Sequence, residues 1–354
     1  MSTSRAIIVE SKGNMLLQDV PVPDIPDGYI LVQNKAVALN PTDWKHVYLE
    51  DCTGCTVGCD YAGVVENVGP MVSKAWKKGD RVAGFVHGCN LLQPRGGAFA
   101  DYIVAKGDLQ LRIPDFMSFE EAATLGVGLM TIGQNLYQSL QLPMPTQEEN
   151  LTSHETDSSS DSILINGGAT ATGSLAIQFA KLSGLQVITT CSDANRPFVC
   201  NRGADMVFNY HDTNAGDQIR EATDDALEIA FDTVSTTSSA GLCADAISSA
   251  GGSYNALLDV RCPRSDVDTE VSMAYGMIGD RYQMRGKTVD GKPDNFAYAA
   301  QWTKVVESVL HANQIRPHPF KLQSGGLAGI PKGLDLLRSG KVRAYKLVYR
   351  VEAE

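Results

Sequence analysis

The chain has 354 residues, of which 43 % are apolar and 20 % charged, a composition typical of a globular protein with room for two domains. Its formal charge of −11 argues against a nucleic-acid partner, because neutralising phosphates needs clustered Lys and Arg. The start does not suit a signal peptide and no apolar run reaches the roughly 20 residues of a membrane crossing, so we expect a cytoplasmic protein with no membrane association and with reduced cysteines.

The first third of the chain is typical of β-structure. Turn-rich segments such as PVPDIPDG and KKGDRV separate short runs with many β-branched and aromatic residues. These runs are AIIV, YILVQNKAVAL, GVVENVG, DRVAGFV and AFADYIVAK. The pattern predicts a compact β-rich first domain.

A short helix is predicted to interrupt the β-pattern at LNPTDWKH. Asn40 is a favoured N-cap residue, Pro41 suits the first helical position, and Asp43 suits the first turn. Thr42 and Lys45 lie three residues apart and therefore share one face of this helix. On local grounds alone, a solvated surface lysine is the commoner interpretation of Lys45.

Three cysteines, Cys52, Cys55 and Cys59, stand close together in DCTGCTVGCDYAG, at a spacing that occurs in zinc and iron–sulfur sites. A zinc ion needs four ligands, or three and a water molecule. The cluster has no obvious fourth ligand, although Cys89 or His87 could approach it in the fold. We expect small buried or loop thiols here, with a metal or redox sensor as the alternative.

An acidic segment, PMPTQEENLTSHETDSSSDS, separates the β-rich part from the rest of the chain. Residues 143–162 include five acidic residues, five serines and no Lys or Arg. Such a composition cannot bury enough apolar surface to order itself. It predicts a flexible surface loop, with a docking role as the less common alternative.

From residue 163 onward, short apolar strands alternate with segments of helical length. The strands are SILIN, QVITT, MVFNY, LEIAFDTV and SYNALL, and the helices fall near 172–183, 195–202 and 238–249. This alternation predicts parallel βαβ units and an α/β domain with a doubly wound sheet. Helices over 295–313 and 326–338 and a last strand, YKLVYRV, complete the chain.

The segment SILINGGATATGSLAIQFAKLSG predicts a strand, a glycine-containing turn and a helix. Such a turn aims backbone N–H groups and the positive end of a helix at a pyrophosphate. Gly168 and Gly173 fit the G-x-G-x-x-G pattern, but Thr170 stands in place of the middle glycine. A βα turn without a ligand is the alternative, and the run of strands and helices that follows favours the cofactor.

The end of the next strand indicates which dinucleotide binds. NAD sites carry an acidic residue there for the ribose 2′-hydroxyl, whereas this strand ends in neutral residues that include Ser192. Arg196 and Tyr210 follow within reach, and a guanidinium can pair bidentately with a 2′-phosphate. Asp193 is the evidence against NADPH, although its offset suggests a cap for the following helix rather than a ribose ligand. The residues favour NADPH.

Together these segments resemble the medium-chain dehydrogenases/reductases over nearly the whole chain. The motifs that carry the resemblance are LNPTDWK, GCDYAGVVENVG, KKGDRV, GGAFADYIVA, EEAATLGVGLMTIG, GGATATGSLAIQFAKLSG and RGADMVFNY. NPTDWK, GGATAT and the Pro- and Ser-bearing insertion resemble most the fungal trans-acting enoyl reductases that serve polyketide synthases. The resemblance implies a GroES-like β-rich catalytic domain of residues 1–128 plus 300–354 and a Rossmann NADPH-binding domain of residues 129–299.

The resemblance also bears on zinc. The zinc-dependent members hold their catalytic ion at positions that correspond here to Pro41, Cys59 and about Val127, of which only Cys59 can ligate. Their four-cysteine structural site would fall near HGCNLLQPRGG, where only Cys89 remains. We therefore expect no metal at either site.

Without a metal, the implied reaction is hydride delivery from NADPH to an α,β-unsaturated acyl thioester. The developing enolate charge would be met by hydrogen-bond donors and a proton supplied nearby. The resemblance places Lys45 as that donor and Thr42 beside the cofactor. The implied partner is the acyl-carrier domain of a polyketide synthase, or of a synthase–peptide synthetase hybrid, which would present the small-molecule acyl substrate.

Further cofactor contacts are implied at strand ends and at one helix. Thr131 resembles a position that contacts the nicotinamide ribose, and Asp232 and Val234 end a strand whose tip would face the cofactor. The alternatives are that Thr131 packs within a helix and that Asp232 caps a turn. The predicted cofactor-binding residues are Pro41, Thr131, Gly168, Thr170, Ala171, Thr172, Ser192, Arg196, Tyr210, Asp232, Val234 and Leu257.

Several points stay open at this stage. Lys346 matches a basic position in related C-terminal segments, but no role is assigned to it, and residues 261–291 are expected to shape the acyl pocket. Candidate basic docking residues are Arg261 and Arg264, or Lys341 and Arg343. A quinone or small-enone reductase acting on free substrates, and a non-catalytic NADPH-binding partner, remain alternatives because a fold does not determine a substrate.

Overall fold

The computed structural model describes residues 3–145 and 162–351. Most of the predicted acidic loop, residues 146–161, lies outside the described residues. The described residues fall into two compact units. The first lies within Met1–Met130, Ala274–Ala312 and Pro317–Glu354, and the second within Thr131–Met273 and Asn313–Arg316. Residues 129–130 and 274–299 thus belong to the first unit and Asn313–Arg316 to the second, which is the opposite of the domain assignment predicted for these three segments.

The secondary structure follows the predicted change from β-rich to alternating. The strands of the described residues are β1 (Thr3–Ser11), β2 (Asn14–Pro21), β3 (Tyr29–Ala38), β4 (Asp60–Val68), β5 (Arg81–Phe85), β6 (Tyr102–Lys106), β7 (Leu111–Arg112), β8 (Ser162–Asn166), β9 (Gln186–Cys191), β10 (Met206–Asn209), β11 (Ile229–Asp232), β12 (Gly252–Ala256), β13 (Val267–Val271), β14 (Tyr282–Met284), β15 (Lys287–Val289), β16 (Phe320–Gln323) and β17 (Lys346–Arg350). The α-helices are α1 (Pro41–Leu49), α2 (Phe119–Ala122), α3 (Gly126–Ile132), α4 (Ala171–Leu182), α5 (Arg196–Cys200), α6 (Ala215–Ala222), α7 (Thr237–Ala246), α8 (Pro293–His311) and α9 (Ile330–Arg338). A π-helical turn, Gly133–Ser139, continues α3.

The first unit is built on a seven-stranded sheet. Its order is β16-β17-β3-β4-β5-β7, with β6 paired to β3. All pairs are antiparallel except β16 with β17. The strand β3 is buried along almost its whole length and contributes Ile30, Val32 and Val37 to the core. Because β17 pairs with β3, the C-terminal segment completes the sheet of the first unit.

The second unit contains a parallel six-stranded sheet. Its order is β10-β9-β8-β11-β12-β13, so the first strand of this unit, β8, lies in the middle and the order reverses between β8 and β11. This is the doubly wound 3-2-1-4-5-6 order of the Rossmann fold, in which ligands bind beyond the carboxyl ends of the strands at the point of reversal. The predicted α/β architecture, a β-rich domain with a Rossmann domain, is confirmed.

No helix in residues 3–145 and 162–351 is long and apolar enough to span a bilayer.

Candidate active site

The turn between β8 and α4 requires its glycines. Gly167 has a φ of +83°, a left-handed conformation that favours glycine. A Cβ on Gly168 would lie 2.2 Å from Thr189 Oγ1, and one on Gly173 would lie 2.3 Å from the carbonyl oxygen of Gly167. The turn therefore keeps the close backbone packing of a dinucleotide-binding turn although Thr170 replaces the middle glycine.

Thr170 has a local role at the start of α4. It is the N-cap residue, and its Oγ1 accepts a hydrogen bond from Gly173 N–H at 2.9 Å. The same Oγ1 lies 2.9 Å from Thr233 Oγ1, at the end of β11. The N–H groups of Ala171 and Thr172 donate to no acceptor among the described residues. Two free donors at the positive end of a 12-residue helix fit a pyrophosphate.

The carboxyl ends of β9 and β10 bring the residues predicted to select NADPH to one edge of the sheet. The two strands pair in parallel up to Cys191 and Asn209, so Ser192 and Tyr210 follow neighbouring strand ends. Tyr210 is 46 % exposed. Arg196, the first residue of α5, is exposed, and no hydrogen bond or ion pair with a described residue occupies its guanidinium.

Asp193 does not cap the following helix as the sequence predicts, because Ser192 precedes the short 3₁₀ turn and Asn195 is the N-cap residue of α5. Its Oδ2 accepts a hydrogen bond from Asn209 Nδ2 at 3.0 Å. Asp193 begins a short 3₁₀ turn after Ser192, and the Ser192 hydroxyl accepts from Asn195 Nδ2 at 3.1 Å. At this edge the guanidinium of Arg196 is thus free, and one carboxylate oxygen of Asp193 is occupied by a neutral amide.

Asp232 lies at the end of β11 and is completely buried. Five protein groups donate to its carboxylate over 2.6 to 3.0 Å. These donors are Asn166 Nδ2, the N–H groups of Val234 and Ser235, Ser239 Oγ and Tyr254 Oη. The carboxylate thus caps the turn after β11, which is the alternative that the sequence left open, and we expect it to affect a cofactor only through that turn.

The capped turn fixes two further predicted residues. Val234 is 42 % exposed, and its side chain packs over Gly167, where an added Cβ would lie 2.6 Å from Val234 Cγ2. Leu257 follows β12, and its N–H donates to Ser235 Oγ at 2.8 Å. Thr131, in the last turn of α3, is buried, and its carbonyl oxygen accepts from Asn135 Nδ2 at 2.8 Å. Cofactor contacts of these residues stay predictions.

In the first unit, α1 begins as the sequence predicts. Asn40 is the N-cap residue, Asp43 Oδ2 accepts from Asn40 N–H at 2.7 Å, and Asp43 N–H donates to the carbonyl oxygen of Asn40 at 3.1 Å. Pro41 is exposed at the first helical position, and its predicted cofactor contact stays a prediction. Asp43 is completely buried, and burial raises its pKa to about 7.

Lys45 lies half-buried on α1 and has no carboxylate partner among the described residues. Burial lowers the pKa of its ammonium group, and the positive charge of Arg285 lowers that pKa further. The ammonium group lies 5.9 Å from the centroid of the Trp44 ring. An unpaired, partly desolvated ammonium group is a stronger proton donor than a solvated lysine.

Thr42 is hydrogen-bonded to a residue that the sequence analysis did not single out. Its Oγ1 lies 2.6 Å from the hydroxyl oxygen of Tyr275, 233 residues further along the chain. Tyr275 is 6 % exposed, and its hydroxyl also lies 3.4 Å from His46 Nε2 and 3.9 Å from Cys59 Sγ. Tyr275 belongs to the stretch 261–291, for which only a pocket-shaping role is expected, and no sequence pattern marks it.

Aromatic rings hold Tyr275 in place. His87 stacks on it with ring centroids 3.8 Å apart, and Tyr282 meets His87 edge-on at 5.4 Å. Burial lowers the pKa of both His46 and His87 and raises that of Tyr275, so these groups are neutral near pH 7. The Thr42 hydroxyl is thus fixed by a rigid, uncharged aromatic cluster.

A buried ion pair contacts the N-terminal end of α1. Lys346 Nζ pairs with Asp60 and donates to Asn40 Oδ1 at 2.9 Å. Asp60 also accepts from Asn40 Nδ2 at 2.9 Å and from the N–H of Val127 at 2.6 Å. Lys346, whose role was open, therefore connects β17 with β4 and with the N-cap of α1.

The cysteine cluster is buried in the first unit. Cys52 Sγ donates to the carbonyl oxygen of His46 over 3.6 Å, and the Cys89 thiol lowers the pKa of Cys52. Burial raises the pKa of Cys55 to about 12. Within residues 3–145 and 162–351, no group of three or more His, Cys, Asp or Glu side chains is placed to hold a metal ion.

Of the candidate docking residues, Arg261 is exposed, whereas Arg264 is bound within the second unit. Arg264 pairs with Asp266 at 2.6 Å and donates to the carbonyl oxygens of Ala244, Ile247 and Ser248. Its guanidinium is therefore used within the second unit, so it is a structural residue. Lys341 and Arg343 are exposed.

Two protein-family models match the chain. The alcohol dehydrogenase GroES-like domain matches residues 26–115, in the first unit. The zinc-binding dehydrogenase family matches residues 171–253, in the second unit. Although that family is named for zinc, its match covers none of Pro41, Cys59 and Val127, the positions that correspond to the catalytic ligands. The expectation that this chain binds no zinc stays a prediction.

Curated relatives match almost the full length of the chain. Trans-enoyl reductase resD of Aspergillus sclerotiorum is 45 % identical over 358 residues, which cover 98 % of this chain and 100 % of the relative. Trans-enoyl reductase ACTTS2 of Alternaria alternata is 43 % identical over 361 residues, which cover 99 % and 100 %. Among solved structures, that of CurK enoyl reductase superposes with a TM-score of 0.76 at 16 % identity, over 99 % of both chains.

Proposed function

Since the chain belongs to the trans-enoyl reductases, a family of medium-chain dehydrogenases/reductases, we propose that it uses NADPH to reduce the α,β-double bond of a polyketide acyl thioester carried by a partner synthase. Membership of that family makes it an oxidoreductase that acts on C=C bonds with a nicotinamide cofactor. The choice of NADPH, the residues that act and the carrier-bound substrate form the proposal.

The second unit supplies the groups that would hold the cofactor. Gly168, Thr170 and the free N–H groups of Ala171 and Thr172 would receive the pyrophosphate. The free guanidinium of Arg196, with the hydroxyls of Ser192 and Tyr210, would receive a 2′-phosphate. Thr131, Val234 and Leu257 would line the nicotinamide half. When bound, NADPH supplies the hydride that adds to the β-carbon of the acyl group.

The observation that carries the proposal is the half-buried, unpaired ammonium group of Lys45. Hydride addition to the β-carbon leaves negative charge on the thioester oxygen and the α-carbon, which must be met by donors and then by a proton. The Lys45 ammonium group is half-buried and unpaired, so Nζ can donate to that oxygen and pass its proton to the α-carbon. Thr42, held by Tyr275, is a second, uncharged donor on the same helix.

The substrate is proposed to arrive on a carrier rather than free. The relatives are named trans-enoyl reductases, and we interpret "trans" as action on a separate synthase. A carrier adds contacts remote from the double bond, and such contacts raise kcat/KM for the attached acyl group.

The test compares kcat/KM for three substrates with NADPH. These are a but-2-enoyl group on an acyl-carrier domain of a fungal polyketide synthase, the same group on pantetheine, and a free quinone. We expect the carrier-bound thioester to give the highest value and the quinone the lowest. Efficient reduction of the quinone without reduction of either thioester would contradict the proposal.

A further inference from the structure

Residues 281–292, here called the basic hairpin, comprise β14, β15 and their flanking turns. The segment has four cations and one carboxylate, Asp290, in a chain whose formal charge is −11. Its cations are Arg281, Arg285, Lys287 and Lys292. Arg281 pairs with Asp290 at 2.9 Å, whereas the other three cations are exposed and form no ion pair with a described residue. The hairpin is thus a local positive surface on an acidic protein.

Side chains of the first unit hold the base of the hairpin. Asp280, just before it, accepts from Tyr29 Oη at 2.6 Å and from Lys106 Nζ at 2.8 Å. The N–H of Gln283 donates to Asn90 Oδ1 at 3.1 Å. Because the backbone is already fixed, a partner that binds these cations does not have to order it, and association costs less entropy.

The tip of the hairpin lies against the helix that carries Lys45. The N–H of Arg285 donates to Glu50 Oε2 at 2.7 Å, and Glu50 is the C-cap residue of α1. Lys45 lies five residues earlier, or about 7–8 Å along the helix axis at the rise of an α-helix. The charge of Arg285 contributes to the lowered pKa of Lys45, which agrees with this proximity. Arg285, one of the three free cations, therefore lies near the proposed proton donor.

We propose that the basic hairpin is the docking surface for the acidic acyl-carrier domain, with Arg285, Lys287 and Lys292 facing its carboxylates and the phosphodiester of its phosphopantetheine arm. This inference rests on the proposed function and assigns the surface that receives its partner. Complementary charge steers encounter and selects orientation, while the net negative charge of the rest of the chain repels an acidic partner. Docking beside α1 would deliver the thioester close to Lys45.

The experiment uses the full-length enzyme and one acyl group on three supports. A but-2-enoyl group is offered on an acyl-carrier domain of a fungal polyketide synthase, on 4′-phosphopantetheine and on pantetheine. The test variant is Lys287→Glu with Lys292→Glu. The control is Lys341→Glu with Arg343→Glu, which makes the same change of charge at exposed positions elsewhere on the first unit.

We expect the test variant to lose about tenfold or more in kcat/KM for the carrier-bound group, as for charge reversal at a steering surface. The control variant should lose less than about twofold, because its positions lie outside the docking surface. Both variants should reduce the pantetheine thioester as the wild type does. Raising the salt concentration should reduce the difference in kcat/KM for the carrier-bound group between the wild type and the test variant.

Two results would overturn the inference. One is an equal loss in the test and control variants, or no loss in either. The other is an equal loss for phosphopantetheine and carrier, which would mean that the hairpin binds only the phosphate. Calorimetric titration with the carrier domain separates this inference from the proposed function. If no thioester is reduced but carrier binding is still weakened only in the test variant, the proposed function fails and the docking surface stands.

Discussion

At the scale of single residues, Lys45 differs from other lysines in the interior of the first unit. Lys74, Lys106 and Lys346 each pair with a carboxylate, at Glu307, Asp280 and Asp60 respectively. Such pairing is the usual condition for taking a charge out of water. Lys45 has no such partner and is placed near a second cation instead. Partly desolvating an unpaired ammonium group costs free energy, and such groups cluster at functional sites. This agrees with an ammonium group that acts on a substrate.

The lowered pKa of Lys45 predicts how activity depends on pH. A proton donor must be protonated, so kcat should fall as pH rises through that pKa, which lies below the value of an ordinary lysine because of burial and of Arg285. Replacing Arg285→Gln removes one cause of the shift, so the pKa rises and the alkaline limb of the kcat profile moves to higher pH.

The measurement is the pH profile of kcat with the pantetheine thioester, which avoids any effect on carrier docking. Lys287→Gln serves as the control, because it removes a neighbouring charge of the same hairpin and should leave the alkaline limb in place. If the limb of Arg285→Gln coincides with that of the wild type, another group titrates.

The contact between Tyr275 and Thr42 leads to a second prediction, about kcat. Tyr275→Phe removes the hydroxyl that holds Thr42, and the loss of one hydrogen bond of about 0.5–1.5 kcal/mol should lower kcat by about two- to tenfold. Thr42→Val removes this contact and the donor hydroxyl itself, so its loss in kcat should be at least as large, and the double variant should lose little more than Thr42→Val alone.

Tyr282→Phe is the matched control, since it removes the phenolic hydroxyl of a neighbouring ring in the same aromatic cluster. Its kcat should equal that of the wild type. Fully additive losses in the Thr42 and Tyr275 variants would show that the two hydroxyls act independently.

Arg196 predicts the cofactor preference. Arg196→Ala removes a charge-assisted contact with the 2′-phosphate, worth about 1.5–3 kcal/mol, so the Kd for NADPH should rise about tenfold or more. The Kd for NADH should hardly change, because NADH has no such phosphate. Fluorescence titration of both cofactors measures the two dissociation constants. An equal rise in both would mean that Arg196 contacts a part of the dinucleotide that NADPH and NADH share.

How far these residues could be predicted depends on how local their chemistry is. The cap of α1 by Asn40 and Asp43 follows from residue types at fixed spacing, and the structure confirms it. Tyr275 reaches Thr42 across 233 residues, and no pattern within a short window could indicate that contact. The carboxylate of Asp232 was assigned to the cofactor from its place at a strand end, but the groups that cap it come from several elements of the second unit.

At the scale of elements, one buried ion pair joins three parts of the first unit. Lys346 on β17 pairs with Asp60 on β4 and contacts Asn40 at the start of α1. Both charged side chains are almost fully buried. The pair therefore positions the helix that carries Thr42 and Lys45, although a buried pair contributes little net stability by itself.

Breaking this pair should be costly. Lys346→Met leaves Asp60 charged and buried without its cation, so we expect the free energy of unfolding to fall by about 3–5 kcal/mol. Urea denaturation measures the change, and Lys341→Met at an exposed position should cost less than about 0.5 kcal/mol. Adding Asp60→Asn to Lys346→Met should recover part of the loss, whereas a single variant as stable as the wild type would refute the role of the pair.

The elements themselves were largely readable from the sequence. Alternation of strands and helices predicted the parallel sheet, and the helix expected near 172–183 is found at Ala171–Leu182. The hairpin of β14 and β15 was not predicted, because its strands have three residues each and too few alternating apolar positions to give a signal. The hairpin is fixed instead by tertiary contacts, with Asn90 at its base and Glu50 at its tip.

At the scale of the whole molecule, charge and composition excluded classes of partner but did not identify the function. The charge of −11 argued against nucleic acid, yet the structure gathers three free cations on the basic hairpin, and their positions relative to Lys45 could not be read from composition. The family assignment came from motifs spread over nearly the whole chain, and relatives at 43 % and 45 % identity confirm it. In the proposed function, the second unit supplies the residues that bind the cofactor and the first unit supplies the proton donor.

The most direct test of this account follows one hydride and one proton. Wild-type enzyme is given a but-2-enoyl thioester and NADPH that carries deuterium at the transferable position, and the product is analysed by mass spectrometry and NMR. We predict one deuterium at the β-carbon and a proton from solvent at the α-carbon, with Lys45→Met slower by about 10²–10⁴ although it binds NADPH like the wild type. A thioester that is not reduced, or a Lys45→Met variant with full turnover, would contradict the account.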